Sequence, residues 1–436
     1  MPFKKKVPLS KYNEINLSGA YFRNHRITDG LSLVYVAENI SMNKGYLSDI
    51  ENGKRPFSKG VILQLNQFYD INFEEDESEY KSLKTCLHDA FNAMFNYNSL
   101  KESEILNSSN ILNHHKENSG YFILQILKLF HAIRIDEKPD TINTCKAIIE
   151  NNLDAVESDD LAIFYCLLGI YYKRDTSTNY LAEEYLKKSI ALSSIDSKVY
   201  ALCQFEMISI LAETNRSVLG YSYCEQSKNI FTRFNNYTTL FFIDLFQYNC
   251  LINAGLYEEA IKGLNELLKN INEENEKYKY AIYHSIAWGQ LLNHNYLDCV
   301  QATNEARNEE DKSEDLLYFI SFSYYKLNQP LKALDFIEET LPKCTSIYKE
   351  FLIAIKARIQ KDNELFEQKI LYFYNFLLSH YDYETILFVL EFILDYFKEI
   401  NQIHNIIATY DDYKMLKENK LTFETSSLLK KFREKV

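Results

Sequence analysis

Tyr46-Leu47-Ser48-Asp49-Ile50-Glu51-Asn52-Gly53-Lys54-Arg55-Pro56 is the stretch on which the reading of the N-terminal fold turns. Leu47 and Ile50, three apart, mark the inward face of a short helix. Asn43 offers a side-chain acceptor to cap its start, so the helix runs from Lys44 to Glu51, and Asn52-Gly53 stops it with residues that tolerate left-handed backbone. Working outward, Ser32 can cap a preceding helix that carries Val36, Ala37 and Ile40, and Ser18-Gly19 opens an earlier one through Phe22 and Ile27 that ends at Asp29-Gly30. Downstream, Ser58 to Phe68 places Val61, Ile62, Leu65 and Phe68 on one face, and a short fifth helix is expected near Phe73.

The rest of the chain reads as helix after helix. Segment 79–98 aligns Leu83, Leu87, Ala90, Phe91 and Met94, and is expected to link head to body before the polar break Asn107-Ser108-Ser109-Asn110. Internal repeats follow. Tyr165, Leu168, Gly169 and Tyr172 precede Ala182; Ala254-Gly255-Leu256-Tyr257 precede Ala260; Asn295-Tyr296 precede Cys299; Leu317, Ile320 and Tyr324 precede Ala333; a weaker unit surrounds Tyr223-Cys224. The small residue of the second helix thus recurs at steps of about 34 to 42 residues. Small residues sit where two helices of a hairpin cross closely, and no single hairpin can bury its apolar face alone. The pattern is good over 160–345 and degenerate on both sides, where irregular helical pairs are expected.

Composition agrees. The 436 residues include 11 Gly and 6 Pro, few for a β or α/β protein of this length. Residues 1–72 hold 10 basic and 6 acidic side chains, against 38 basic and 55 acidic in the remainder. A basic head on an acidic body fits a chain in which only the head meets a polyanion. The eight Cys are scattered without a CxxC pair, which argues against zinc and for reduced core residues. No metal and no cofactor is expected: there is no Gly-rich phosphate loop, no HExxH and no nucleophile elbow, and His114-His115 reads as a solvated pair. An enzyme is therefore not expected. Lys4, Lys5 and Lys6 read as a solvated tail or a basic arm rather than a secretory signal, and Ile386 to Phe397 is too short and too charged to span a bilayer, so no membrane partner and a cytoplasmic location are expected.

The run from Leu31-Ser32 through Val36-Ala37 and Ile40 to Pro56 resembles the Xre/Cro-type helix-turn-helix family, and the repeats resemble tetratricopeptide repeats. Together they imply an all-α fold: a five-helix helix-turn-helix DNA-binding domain over 1–72, a linker helix over 73–110, and a tetratricopeptide-like solenoid for sensing and dimerisation over 111–436. The resemblance places the third helix in the major groove of an operator in double-stranded DNA, with Asn43, Lys44, Gly45, Tyr46 and Asp49 as readers. Arg23, Arg26, Lys54, Arg55 and Lys59 are expected on phosphates, beside Ser32 and the amides it caps. Leu33 stands where that family has a DNA-contacting Gln, so one expected contact is missing.

In such solenoids the first helix of each hairpin lines the concave face. Asn249 and Asn253, four apart, suit the backbone of a short peptide; Lys173 and Arg174 suit its carboxylate; His284, Trp288, Tyr318, Phe322 and Tyr325 are expected as an aromatic wall. In architecture the chain resembles the peptide-pheromone-responsive regulators of Gram-positive bacteria, the Rgg, NprR, PlcR and PrgX group. That resemblance implies transcription regulation in quorum sensing by a homodimer whose geometry or DNA affinity changes when a peptide binds. Two other readings stay open: a protein-interaction adaptor that sequesters a response regulator, and a mobile-element repressor that uses the solenoid only to oligomerise.

Overall fold

The computed structural model describes residues 17–108, 117–136, 138–271, 275–309, 314–380, 382–418 and 420–433. Lys4, Lys5, Lys6, His114 and His115 lie outside them. Among the described residues the structure is helical throughout, with no strand and a single isolated bridge between Glu74 and Asn118. The chain divides into two compact units, residues 1–171 with 184–203, and residues 172–183 with 204–436.

In the first unit, α1 (Leu17–Thr28), α2 (Leu33–Asn39), α3 (Lys44–Glu51) and α4 (Lys59–Tyr69) form the head. Three of them begin where the capping residues dictate. Ser32 Oγ accepts from Tyr35 N, Asn43 Oδ1 from Gly45 N and Tyr46 N, and Ser58 Oγ from Val61 N, each satisfying an amide that the helix cannot. Val36, Ala37, Leu47, Ile50, Val61 and Leu65 are buried together with Phe22. The expected short fifth helix does not start at Phe73. Residues 71–76 are not helical, because Phe73 is fully buried against Tyr21 (ring centroids 4.4 Å apart), while Asn66 bonds both Phe73 N and Phe73 O and Glu74 N donates to Glu117 O. Helix α5 (Glu77–Phe95) begins after the Asp76 cap in place of the expected fifth helix, and a separate helix, Ser99–Leu106, follows it within the segment expected as the linker.

From residue 198 onward the chain is built of helical hairpins, which belong to the second unit except for residues 198–203. Six turns join the paired helices 198–213/217–233, 237–253/257–269, 279–292/296–309, 315–326/330–340, 348–360/363–380 and 383–399/403–417. Each turn holds one residue of positive φ: Asn215, Gly255, His294, Asn328, Lys361 and Asn401. In each, the amide of the next residue donates to the carbonyl five residues back: Arg216 to Leu211, Leu256 to Leu251, Asn295 to Gln290, Gln329 to Tyr324, Asp362 to Ala357, Gln402 to Phe397. This is the left-handed helix stop that glycine usually supplies, made here mostly by Asn, His and Lys. It explains how so helical a chain manages with few glycines.

In several hairpins the fourth residue of the second helix is small and buried. Ala182, Ala260, Cys299 and Ala333 are fully buried there. In the weaker unit the equivalent residue is Gly220 rather than the expected Cys224: a Cβ on Gly220 would lie 3.0 Å from Cys250 Sγ. The two C-terminal hairpins, expected to be irregular, keep the same turn geometry but carry Phe366 and Ile406 at this position.

Candidate functional site

Two sets of side chains carry the candidate chemistry, one on the head and one in the second unit. On the head, Lys44, Lys54 and Lys59 are exposed, and none pairs with a carboxylate among the described residues. Arg55 lies 5.5 Å over the Tyr46 ring and 3.2 Å from Asp49 Oδ2, so cation, phenol and carboxylate share the outer side of α3. Asn43 is exposed, but its side-chain oxygen is committed to the helix cap, which leaves only the amide nitrogen to donate outward. Gly45 fits the cap as well as an approach to a ligand, because a Cβ there would stand 3.1 Å from Asn43 Oδ1. Ser32 is exposed and caps α2.

Arg23 and Arg26 depart from expectation. Arg26 grips the buried Glu51 carboxylate through Nε (2.9 Å) and Nη2 (2.8 Å) and donates to Leu31 O, an arrangement in which Glu51 raises its pKa despite burial. Arg23 donates to Asp154 Oδ2 at 2.8 Å, to Asn152 Oδ1 at 3.0 Å and to Glu51 O. Asn152 is fully buried and in turn donates to Asn24 Oδ1. In this structure both guanidiniums are held by partners within the first unit, so each acts as a structural tie rather than an exposed cation.

In the second unit, three successive first helices each present a pair of residues four apart, hence on one helix face. These pairs are Ser209 and Glu213, Asn249 and Asn253, and His284 and Trp288. With Phe246, Ser285 and Glu384 they line one cavity of about 220 Å³. Asn253 Nδ2 donates to Glu384 Oε1, whereas the Asn249 side chain lines the same cavity with no such bond to Glu384. His284 Nε2 is fixed at 2.6 Å from Asp315 Oδ2. Trp288 stacks on Phe319 with centroids 5.5 Å apart. Burial is the main cause that pushes the Glu384 carboxyl up to about 8; the charge of Asp382 adds to it, the bond from Asn253 opposes it, and Glu213 adds again.

The remaining expected lining residues are elsewhere. Tyr318 and Phe322 are 2% and 3% exposed and belong to the interhelix layer: Tyr318 meets Phe351 at 5.1 Å and Phe322 meets Phe388 at 4.8 Å. Tyr325 packs on Phe392. Lys173 is paired with Glu206 outside the cavity lining, and Arg174 is exposed just past the end of its helix. Ser209 and Glu213 were missed from sequence, although they sit one 40-residue step before Asn249 and Asn253 and obey the same spacing. No local signal marked Glu384, which lies 131 residues from its partner Asn253.

Among the described residues no helix is long and apolar enough to cross a membrane. A family profile described as a helix-turn-helix domain matches residues 19–77. No curated protein matches the chain. Among solved structures the chain is similar to a Rap protein complexed with competence and sporulation factor, at 13% identity and a TM-score of 0.65, over 78% of this chain and 99% of that one. It is also similar to the apo form of RapI, at 16% identity and a TM-score of 0.54, over 82% of this chain and 98% of that one. A third is aspartyl phosphate phosphatase F from Bacillus subtilis, at 14% identity and a TM-score of 0.52, over 80% of this chain and 97% of that one. The chain therefore joins an N-terminal helix-turn-helix domain to helical repeats of Rap-like fold.

Proposed function

We propose that the chain is a sequence-specific DNA-binding transcription regulator whose second unit binds a short peptide, and that occupancy changes the geometry of a homodimer or its affinity for an operator. The observation that carries the reading is the cavity: Asn249, Asn253, His284 and Trp288, four of the nine residues expected in the groove, line it together, and a solved structure of similar fold is of a protein complexed with competence and sporulation factor. On the head, Lys44, Gly45, Tyr46 and Asp49 read base edges while Lys54, Arg55 and Lys59 meet phosphates. A dimer presents two such heads to half-sites about one helical turn apart, so a modest rearrangement alters affinity.

The adaptor reading keeps one specific support, the likeness of the repeats to a protein named as an aspartyl phosphate phosphatase. A likeness of fold brings no reaction with it. The deciding experiment measures binding of the purified chain to the DNA upstream of its own gene, at two salt concentrations, with and without a small-peptide fraction of host culture medium. Specific, salt-sensitive binding that shifts with the fraction is expected. Specific binding indifferent to the fraction leaves a regulator without this ligand, and absence of specific binding moves the weight to the adaptor.

A further inference from the structure

The buried thiols of this chain do not all have the same kind of partner. Four are paired with oxygen. Cys145 Sγ donates to Gln125 Oε1, Cys203 Sγ to Ser189 Oγ and Cys344 Sγ to Glu314 Oε2, and Cys299 Sγ lies 3.9 Å from Thr303 Oγ1. Cys224 is bonded instead to a second thiol, that of Cys250 in the next helix. An oxygen partner fixes a thiol in the core and offers it nothing to react with. A sulfur partner makes a dithiol.

The backbone brings the two sulfurs together. A Cβ on Gly220 would lie 3.0 Å from Cys250 Sγ, so the glycine lets the helix Tyr237–Asn253 settle closely on the helix Ser217–Arg233. Cys224 stands four residues after Gly220, hence on the same helix face, and is fully buried. Gly220 already serves as the small residue of this crossing, so close packing alone does not call for Cys224. Access is an independent observation. A recess of about 310 Å³ opens between Val218, Tyr221, Leu256 and Glu259, and Cys250 is among its lining residues whereas Cys224 is not. Val218 and Leu256 are exposed, so the recess meets solvent. The pair therefore has an outer sulfur, Cys250, and an inner one, Cys224. The bond to Cys250 and then burial push the Cys224 thiol up, so Cys224 holds the shared proton and the outer sulfur accepts it.

We propose that Cys250 and Cys224 form an oxidation site, in which hydrogen peroxide entering the recess reacts with Cys250 and Cys224 resolves the product to a disulfide between the two helices. Cys250 sulfur attacks one peroxide oxygen and the O–O bond breaks. The products are a sulfenic acid on Cys250 and one water, which takes up the thiol proton. Cys224 sulfur then attacks the sulfenic sulfur, the hydroxyl leaves with the Cys224 proton as a second water, and the S–S bond closes. Two thiols have given two electrons and two protons to one peroxide. A thiol reductant reverses the bond by exchange. The site stands whether or not the second unit binds a peptide. Asn249 and Asn253, which line the cavity, belong to the same helix as Cys250, so the bridge braces the helix that carries that wall.

The test uses the full-length chain carrying Cys86→Ser, which removes the one cysteine that is not buried. The native protein is treated with hydrogen peroxide, its remaining thiols are alkylated in denaturant, and it is digested with trypsin without reductant. Mass spectrometry should find the peptide 217–228 joined to the peptide 234–262, lighter by two hydrogens than the two together. Dithiothreitol before alkylation should abolish the joined species. Cys224→Ala should halt the reaction at the sulfenic acid, which dimedone labels on Cys250, and Cys250→Ala should leave Cys224 unlabelled. Should either variant fail to fold, the peptide map of the parent decides alone. Recovery of both cysteines as alkylated thiols after native treatment overturns the proposal, and so does a bridge that forms only once the chain is unfolded. Dimedone on Cys224 in Cys250→Ala overturns the assigned order of attack.

Discussion

The head and the second unit use charge in opposite ways. In the head, the buried ion pair Arg26–Glu51 is complete and the unpaired cations Lys44, Lys54 and Lys59 face solvent. In the second unit, the Glu384 carboxyl faces a cavity and is met by the neutral Asn253 amide rather than by a Lys or Arg among the described residues. Exposed cations on a small rigid scaffold suit a large polyanion that arrives from outside and is held by many weak contacts. A carboxyl sunk in a cavity has lost much of its water and holds its proton to a higher pH. The contrast concerns where solvation is lost: the head loses little of it until it binds, whereas the repeats have already lost it on folding.

The largest effect that sharpens this contrast is structural. Glu51→Ala leaves Arg26 facing a void from which its partner has gone, and breaking a buried pair on one side costs about 3–5 kcal/mol. Thermal unfolding of the variant should show the head melting early and DNA binding lost with it. An unchanged melt would mean that the pair is not what fixes α1 to α3.

Next comes the double substitution Lys44→Ala with Tyr46→Ala. Both side chains lie on the outer side of α3 and neither fills the core, so the fold should keep its stability within about 0.5 kcal/mol. Specific affinity should fall by about 2 kcal/mol or more, roughly thirtyfold, if they touch base edges. Retained affinity in a mobility-shift or anisotropy assay would remove α3 as the reading helix.

A smaller effect separates the second unit from the head by pH. The Glu384 carboxyl is pushed up to about 8 in the folded chain, above its ordinary value of 4.5, first by burial. Between those two values the folded state therefore holds a proton that the unfolded state has released. Stability contributed by this group is present below about 4.5 and is lost as pH rises through about 8. Discounted for the water that reaches the cavity, the contribution is on the order of 1–2 kcal/mol. Melting temperatures taken from pH 5 to 8 should fall in the parent chain and fall less in Glu384→Gln; parallel curves would show that the carboxyl is already paired.

Much of this molecule is legible because its signals are local. Ser32, Asn43 and Ser58 each cap a helix within three residues of themselves, and Asn249 and Asn253 share a helix face by spacing alone. The period of the repeats is visible wherever the fourth residue of the second helix is small, as at Ala260 and Ala333. It fades where that residue is Phe366 or Ile406, although the turns at Lys361 and Asn401 keep the same geometry. What stayed hidden is non-local or depends on solvation. Asp154 lies 131 residues from Arg23, and nothing in either neighbourhood announces the pair. Tyr318 and Phe322 recur at groove-like positions, yet aromatic side chains gain more by filling the layer with Phe351 and Phe388 than by standing in water.

The smallest effect tests the two kinds of head cation against each other. Each phosphate contact contributes about 0.9 to the slope of log affinity against log salt. Lys59, exposed and unpaired, should take about that much of the slope with it when changed to Ala, with little change in stability. Arg23 should behave in the opposite way. Its guanidinium is occupied by Asp154, Asn152 and the Glu51 carbonyl, so Arg23→Ala should leave the salt slope unchanged and lower the melting temperature instead. The expected loss of stability is modest, because Asp154 is 55% exposed and regains water when its partner goes. A slope that drops in Arg23→Ala as it does in Lys59→Ala would mean that DNA competes successfully with Asp154 for the guanidinium. The tie between α1 and Asp154 would then be one that opens when the head binds.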